Sequence, residues 1–336
     1  MPRDSRAQGR AAGPRARLCS ARLRNPPRSS GAAVTVALTG GTGFVGQAVL
    51  DAAERHGTAI RALTRRPPDQ ARKAVDWVSG SLSDPASLGD LVRGLDTVIH
   101  VAGLTNTPDT AEFEIANVTG TQNLLDACDR AGVERFVLVS SLSAREPELS
   151  QYGASKARAE TLVESSRLDW TIVRPPAVYG PRDSDMFELF RAAKYRVVPV
   201  PPKGYSSIIH VDDLAELLLA LIPAGRLVSG KLFEPSDGNT AGYEHGQLAR
   251  LIGDAVGNSV VAPHLPAPLL TLGAKLDRML RGDAARLTAD RVGYMTHPDW
   301  VARFDRAVPL EIWEPRIGGE EGLKATGEWY RAQGWL

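Results

Sequence analysis

Three features of the sequence predict an α/β fold, a doubly wound parallel sheet with a smaller C-terminal substrate lobe. Apolar, β-branched runs of strand length alternate with helical segments from Val34 to about Arg174. A glycine-rich turn, Thr39-Gly-Gly-Thr-Gly-Phe-Val-Gly46, joins the first such run to the first helical segment. Beyond Pro175 the alternation loosens and prolines cluster at 199, 201 and 202. Short strands separated by helices specify a parallel sheet covered on both faces.

In chain order, strands are expected at Val34–Leu38, Thr58–Leu63, Val75–Val78, Asp96–Val101, Arg135–Val139 and Trp170–Val173. Helices are expected at Phe44–His56, Pro85–Arg93, Ala111–Arg130 and Gln151–Ser166. Ser83-Asp84-Pro85 puts proline in a first helical turn, and Gly94 and Gly132 follow helix ends. In the looser part, strands are expected at Ser206–Val211, Lys231–Phe233 and Ser259–Val261. Helices there are expected at Asp212–Ile222, Tyr243–Val256, Pro268–Leu280 and Gly319–Gln333. The expected division is a dinucleotide-binding domain over 34–180 and a mixed substrate lobe over 181–336, with some segments returning to the sheet. Trp300, Trp313, Trp329 and Trp335 fall in the lobe, where large aromatics mainly supply buried area.

The glycines at 40, 43 and 46 lie between a strand and a helix. Such a turn lets a dinucleotide pyrophosphate approach the backbone at a helix N-terminus, where free N–H groups and the helix dipole favour an anion. This is the Rossmann-type arrangement, with Gly40, Thr42, Gly43, Phe44 and Val45 around the phosphates. At the end of the second strand an acid would bind the ribose hydroxyl of NAD, whereas arginine accommodates the 2′-phosphate of NADP. The sequence there is Arg61-Ala-Leu-Thr-Arg-Arg66, with no acid before Asp69. Arg65 and Arg66 are therefore phosphate candidates, and NADP is the expected cofactor, with NAD as the alternative.

Tyr152-Gly-Ala-Ser-Lys156 opens a helix and places Tyr152 and Lys156 one turn apart on one face. A free phenol, with a pKa of about 10, is a poor proton shuttle at neutral pH, and a nearby ammonium is expected to lower it. The stretch follows a strand ending Val137-Leu-Val-Ser140-Ser141, at the carboxyl edge where such sheets bind ligands. Ser141 can donate a hydrogen bond to a substrate oxygen there.

These motifs together resemble an extended-type short-chain dehydrogenase/reductase, of the NAD(P)-dependent epimerase/dehydratase-like group. Five further stretches match in the family's order: Asp96-Thr-Val-Ile-His-Val-Ala-Gly103, Asn117-Val-Thr-Gly-Thr-Gln-Asn123, Ser140-Ser141, Arg174-Pro-Pro-Ala-Val-Tyr-Gly-Pro181 and Ile209-His-Val-Asp-Asp-Leu214. The resemblance implies Tyr152 as acid/base, Lys156 as its ribose-binding partner and Ser141 as holder of the reacting oxygen. It implies Val101, Ala102, Gly103 and Ser140 along the dinucleotide, Ser81 and Leu82 beside the adenine, and Pro175 and Pro176 near the nicotinamide. His100, His210 and Asn117 read as structural, and Asp212 or Asp213 as the cap of the following helix.

Three departures stand out. Ser141 and Tyr152 are eleven residues apart, shorter than in the family's epimerases, which weakens a sugar-nucleotide substrate. The acid usual after the third strand is absent from Gly80-Ser81-Leu82. Ser143 stands close enough to compete with Ser141 for its role.

The composition fits a globular protein with a full core: 336 residues, 43% hydrophobic and 24% charged. Cys19 and Cys128 lack metal spacing or a disulfide pattern, which fits a reducing cytoplasm and no metal site. The longest apolar run, Leu214–Ile222, is too short to span a membrane. Residues 1–33 carry eight Arg and one acid, Asp4, leaving −6 for the remainder against an overall +1. That acidic remainder gives no support for nucleic-acid binding. The Arg-rich segment lacks core formers and is expected to be disordered. It reads as a transit peptide, a nucleic-acid or membrane tail, or an extension ahead of a true start at Val34; the last is preferred because the first strand begins there.

The expected function is an NADP(H)-dependent oxidoreductase moving a hydride between nicotinamide and a hydroxyl or carbonyl carbon of a small-molecule substrate. The alternatives are an epimerase or dehydratase that retains its cofactor, and a non-catalytic NADPH-binding protein like the dehydrogenase-like accessory subunit of respiratory complex I. A homodimer through helices such as Ala111–Arg130 and Gln151–Ser166 is a further expectation from the family.

Overall fold

The computed structural model describes residues 35–68, 72 and 74–336. The expected disordered segment 1–33, Val34 and Asp69 lie outside the described residues.

Seven parallel strands form the main sheet. They are β1 (Thr35–Thr39), β2 (Ala59–Thr64), β3 (Val75–Ser79), β4 (Thr97–His100), β5 (Arg135–Val139), β6 (Asp169–Val173) and β7 (Lys231–Phe233). Their order is β7-β6-β5-β4-β1-β2-β3, so the winding reverses between β4 and β1. Thr39 of β1 pairs in register with His100 of β4. Open parallel sheets bind ligands in the crevice at such a reversal, beyond the strands' carboxyl ends.

Each face of the sheet carries its own core. Helix α1 (Phe44–His56) covers one face together with Leu214, Leu217, Leu218 and Leu221. Helices α2 (Pro85–Val92), α3 (Gly120–Ala131) and α4 (Gln151–Glu164) supply Leu88, Leu91, Leu124, Leu125 and Val163 to the other. Asp84 caps α2, its carboxylate accepting from Ala86 N at 3.1 Å, with Pro85 in the first turn. Gly57 and Gly132 end α1 and α3 in the left-handed conformation. The long helix expected over Ala111–Arg130 is not uniform: a short turn, Ala111–Phe113, leads into a widened π-helical stretch, Glu114–Thr119, and then α3.

The C-terminal residues form the smaller lobe. Helices α5 (Phe187–Lys194), α6 (Val211–Ala220), α7 (His245–Val256), α8 (Ala267–Arg281), α9 (Ala289–Met295) and α10 (Gly319–Ala332) follow in order, of which α6 packs beside α1 on the main sheet. Phe190, Val198, Ile208, Leu248, Ile252, Leu323 and Tyr330 build the lobe's core, with Trp329 packed against it. β7 leaves this region to pair with β6. Ser206–Val211 is not one strand: Tyr205–Ser206 and Ile208–His210 join different small sheets. Ser259–Val261 makes only an isolated bridge, Val261 to Val197. The cap of α6 is also corrected. His210 accepts from Asp212 N at 3.2 Å, while the Asp213 carboxylate turns to Arg316 N and Ile317 N.

Asp183 anchors the entry to α5, its carboxylate accepting from Asp185 N at 2.8 Å and Met186 N at 3.0 Å. Burial nevertheless pushes its carboxyl up to about 7, the backbone hydrogen bonds opposing that shift. A carboxyl raised above its unfolded value favours the fold when protonated. Its contribution is therefore full below about pH 4 and is lost as pH rises through about 7. Compared with Asp183→Asn, which keeps an acceptor without the charge, the unaltered protein is expected to lose at least about 3 °C more in Tm between pH 5 and pH 8. Parallel pH profiles for the two proteins would contradict this.

Candidate active site

The glycine turn is shaped by contacts that leave no room for side chains. Gly40 adopts φ +76°, and a Cβ there would lie 2.7 Å from Ala102 N. A Cβ on Gly46 would lie 2.0 Å from Gly40 O, so α1 begins pressed against the turn. Gly43 offers no capping side chain, and the first turn of α1 has no acid. The N-terminal amides at Phe44 and Val45 thus face an exposed Thr42 and Gly43 without competition from an acidic neighbour. Thr42, Thr64, Arg65 and Arg66 line an open cleft of about 470 Å³. These residues fit a dinucleotide: a bare backbone cradle stands at the winding reversal and two cationic side chains line the adjoining cleft.

The remaining cofactor candidates follow carboxyl ends of successive strands. Ser81 and Leu82 follow β3; Val101, Ala102 and Gly103 follow β4; Ser140 and Ser141 follow β5; Pro175 and Pro176 follow β6. Not all are equally free. Leu82 packs below Gly120, and its carbonyl accepts from Asn123 Nδ2 at 2.9 Å. The Ser140 hydroxyl is taken up by Glu160, which also receives a forked pair of bonds from Arg174 at 2.8 and 2.6 Å.

A chain of hydrogen bonds joins the glycine turn to α4. Ala102 N donates to Thr39 Oγ1 at 3.1 Å, and Thr39 Oγ1 lies 2.6 Å from His100 Nδ1. His100 Nε2 lies 3.0 Å from Thr121 Oγ1, which donates to Asn117 O. Burial first, and the Lys156 charge second, hold His100 down at about 3, so the ring is neutral. Thr121 already donates its proton to Asn117, which assigns the His100 proton to Nε2 and leaves Nδ1 to accept from Thr39. The Asn117 side chain then bonds Leu104 N, Leu104 O and Ser155 Oγ, and Ser155 Oγ donates to Tyr152 O at 2.8 Å. His100 and Asn117 are thus structural ties between β1, β4 and α4.

Tyr152 and Lys156 lie in the first turns of α4, both buried. Gly153 is the reason Tyr152 reaches Ser141. A Cβ on Gly153 would lie 2.5 Å from Ser143 O, so α4 rests directly on the turn after β5. Ser141 hydrogen-bonds the Tyr152 phenol, and Ser141 Oγ lies 3.2 Å from Ser143 Oγ. Lys156 Nζ donates to Val139 O at 2.9 Å.

The expected lowering of the phenol's pKa is not what the structure gives. Burial pushes Tyr152 up to about 12, outweighing the Ser141 hydrogen bond that lowers it. Burial also holds Lys156 down at about 8, against the raising effect of Glu160. Desolvation disfavours charge on both partners, and it dominates this pair. Tyr152 is therefore a protonated donor across the neutral range.

One side of the site is invisible to motif reading. Helix α9 lies against α4, and Tyr294 stacks obliquely on Tyr152 with ring centres 6.0 Å apart; Phe113 flanks it at 5.7 Å. The Asp290 carboxylate accepts from Gln151 N at 2.6 Å and Tyr152 N at 3.2 Å, fixing the start of α4. A Cβ on Gly293 would lie 2.2 Å from Leu149 O, a second close approach. The available signal was Thr288, whose side chain caps α9 by accepting from Arg291 N.

A family profile described as NAD(P)H-binding matches residues 40–224. The chain belongs to that family. Among its relatives, it is 36% identical to a ceramide reductase of Caulobacter vibrioides over 310 residues, spanning 90% of this chain and 96% of that one. It is 27% identical to a 4-hydroxy-2-methyl-3-oxo-4-farnesyl-3,4-dihydroquinoline-1-oxide ketoreductase of Stigmatella aurantiaca, over 81% of this chain and 96% of that one. Among solved structures, MoeE5 in complex with UDP-glucuronic acid and NAD matches with TM-score 0.65 and 25% identity, over 89% of this chain and 99% of that one. The chain is thus an NAD(P)-binding enzyme of the oxidoreductase/epimerase type, with the extended Rossmann fold of the epimerase/dehydratase-like superfamily.

The Gly153 contact carries a test. Gly153→Ala must lift α4 off the Ser143 carbonyl and part Tyr152 from Ser141. NAD(P)H-linked turnover of a responding substrate is expected to fall about tenfold or more. Unchanged turnover would show that the contact does not position Tyr152.

Proposed function

We propose that this chain is an NADPH-dependent carbonyl reductase whose substrate is a ketone carried on a long apolar chain. The carrying observation is the buried Tyr152 phenol, hydrogen-bonded to Ser141 and held in its protonated form. A loaded proton donor suits reduction, in which a developing alkoxide must be protonated. The rings of Phe113 and Tyr294 beside it supply apolar walls. The relatives' names support the class: one is a ceramide reductase and another a ketoreductase named for a farnesyl-bearing dihydroquinoline oxide.

When bound, the nicotinamide supplies the hydride to the carbonyl carbon. Ser141 donates a hydrogen bond to the carbonyl oxygen and holds it toward Tyr152. As negative charge gathers on that oxygen, Tyr152 Oη passes its proton to it, giving the alcohol. The Lys156 ammonium, held at the end of β5 by Val139 O, offsets the charge left on the phenolate and the proton is restored from solvent. Gly40, Thr42, Gly43, Phe44 and Val45 would hold the pyrophosphate, and Arg65 and Arg66 the 2′-phosphate. Ser81, Leu82, Val101, Ala102, Gly103, Ser140, Pro175 and Pro176 would border the rest of the dinucleotide.

A second reading is an epimerase or dehydratase that retains NAD, favoured by the likeness to MoeE5 with its bound NAD and nucleotide sugar. It predicts no net consumption of cofactor.

Tyr152→Phe removes the donor while keeping the ring. Turnover is expected to fall about 10²–10⁴-fold with NADPH affinity unchanged; full activity would refute the role. The double substitution Arg65→Ala/Arg66→Ala is expected to weaken NADPH binding about tenfold or more and leave NADH binding unaffected. Equal losses for both cofactors, or tighter NADH than NADPH in the unaltered protein, would overturn the NADPH preference.

A further inference from the structure

Two phenols meet in the site, and the proposed reaction uses only one. Tyr294, on α9, lies against Tyr152 with ring centres 6.0 Å apart and planes inclined by 48°. Trp300 Nε1 donates to Tyr294 O at 2.8 Å, which fixes the backbone there. Asp290 ties the same helix to the Tyr152 amide at 3.2 Å, so the two phenols keep one relation to each other.

The Tyr294 hydroxyl is held as well. Arg291, three residues earlier on α9, hydrogen-bonds the Tyr294 phenol. The same guanidinium donates to Asp185 Oδ2 at 2.7 Å and to Arg286 O at 3.1 Å, and the side chain is only 20% exposed. Asp185 thus neutralises this cation inside the protein, and Arg291 is not a free anchor for a substrate anion. Its work is to fix the phenol oxygen.

Counting donors then gives the hydroxyl a task. A guanidinium only donates, so the Tyr294 oxygen accepts from Arg291 and its own proton is left to give. Among the described residues nothing accepts that proton. Burial raises the pKa of the phenol, outweighing Arg291, so the proton is present at neutral pH. After burial and the Ser141 bond, the groups whose charge acts on the Tyr152 phenol are Tyr294, Arg291 and Asp185. Reduction of a carbonyl needs one proton, and Tyr152 supplies it. Against a plain alkyl ketone the second loaded donor would stay unpaired. An unpaired donor in a closed site costs binding, and a site that holds one selects the ligand that satisfies it.

We propose that Tyr294 donates a hydrogen bond to a second oxygen of the substrate, carried a few bonds from the ketone, and that Arg291 is the positioning residue that aims it. The substrate class narrows from a ketone on a long chain to one oxygenated beside the ketone. This assignment rests on the ketone reductase reading above.

The test compares ketones bearing a hydroxyl on the α or β carbon with the same ketones lacking it, from short to long chains, with NADPH as reductant. In the unaltered protein kcat/KM for the better hydroxy ketone is expected to exceed that of its plain counterpart about tenfold or more. Tyr294→Phe keeps the ring and should bring that ratio to within about threefold of unity, chiefly through a higher KM for the hydroxy ketone. Arg291→Gln should lower the ratio equally, and Arg291→Lys, which still donates, should restore most of it. The double substitution Tyr294→Phe/Arg291→Gln should lower it no further than either alone. A merely structural Arg291 would reduce turnover of both ketones together and leave the ratio standing. A ratio near unity in the unaltered protein, or one unmoved by Tyr294→Phe, overturns the assignment. Additive losses in the double variant overturn the part given to Arg291. No NADPH oxidation with either class of ketone strikes the reductase reading and the assignment with it, an outcome distinct from turnover without selectivity.

Discussion

The site depends on one continuous run of hydrogen bonds through the sheet's winding reversal. It starts where Ala102 N meets Thr39 Oγ1, passes through neutral His100, Thr121 and Asn117, and ends where Ser155 meets the carbonyl of Tyr152. The glycine turn is pressed on Ala102 at one end, and Tyr152 rides on α4 at the other. A cofactor cradle and a reacting group on separate helices must be held to fractions of an ångström. This run supplies that link, and every member is a neutral side chain or a backbone group. Burying His100 charged would break it, which is why its depressed pKa matters to geometry.

The same burial sets the chemistry. Tyr152 is kept as a phenol and Lys156 is held near the point of losing its charge, both because desolvation outweighs their neighbours. An ammonium one turn away is therefore not sufficient to make a phenolate. At neutral pH the phenol therefore keeps its proton. The surroundings extend the theme: Phe113 and Tyr294 dry the site, and Asp290 secures the start of α4 through its backbone amides.

Much of this was legible in the sequence. α1, β5 and β7 fall at their expected limits, the other strands of the parallel sheet lie within one residue of theirs, and α2 starts at the expected Asp84-Pro85, because strand periodicity, glycine stops and a capped proline start are local signals. The cofactor candidates were found at successive strand ends because a doubly wound sheet gathers them on one edge. What was not legible depends on tertiary approach. The role of Gly153 rests on Ser143 O, and that of α9 on a surface over 130 residues earlier. Asp213 was a sound cap by sequence, yet the chain at Arg316 and Ile317 competes for it and His210 takes the cap. The direction of the Tyr152 shift was missed for the same reason: spacing reveals a charged neighbour but not the depth of burial.

The central claim is that hydride leaves the cofactor for good and arrives on a ketone carbon, with Tyr152 supplying the proton. The most direct measurement is single-turnover reaction with NADPH deuterated at the transferable C4 position, followed by mass analysis of the product. The account predicts an alcohol heavier by one deuterium and one oxidised cofactor per product. An isomerised or unlabelled product with the cofactor returned to its starting state would contradict it and establish the retained-cofactor reading instead.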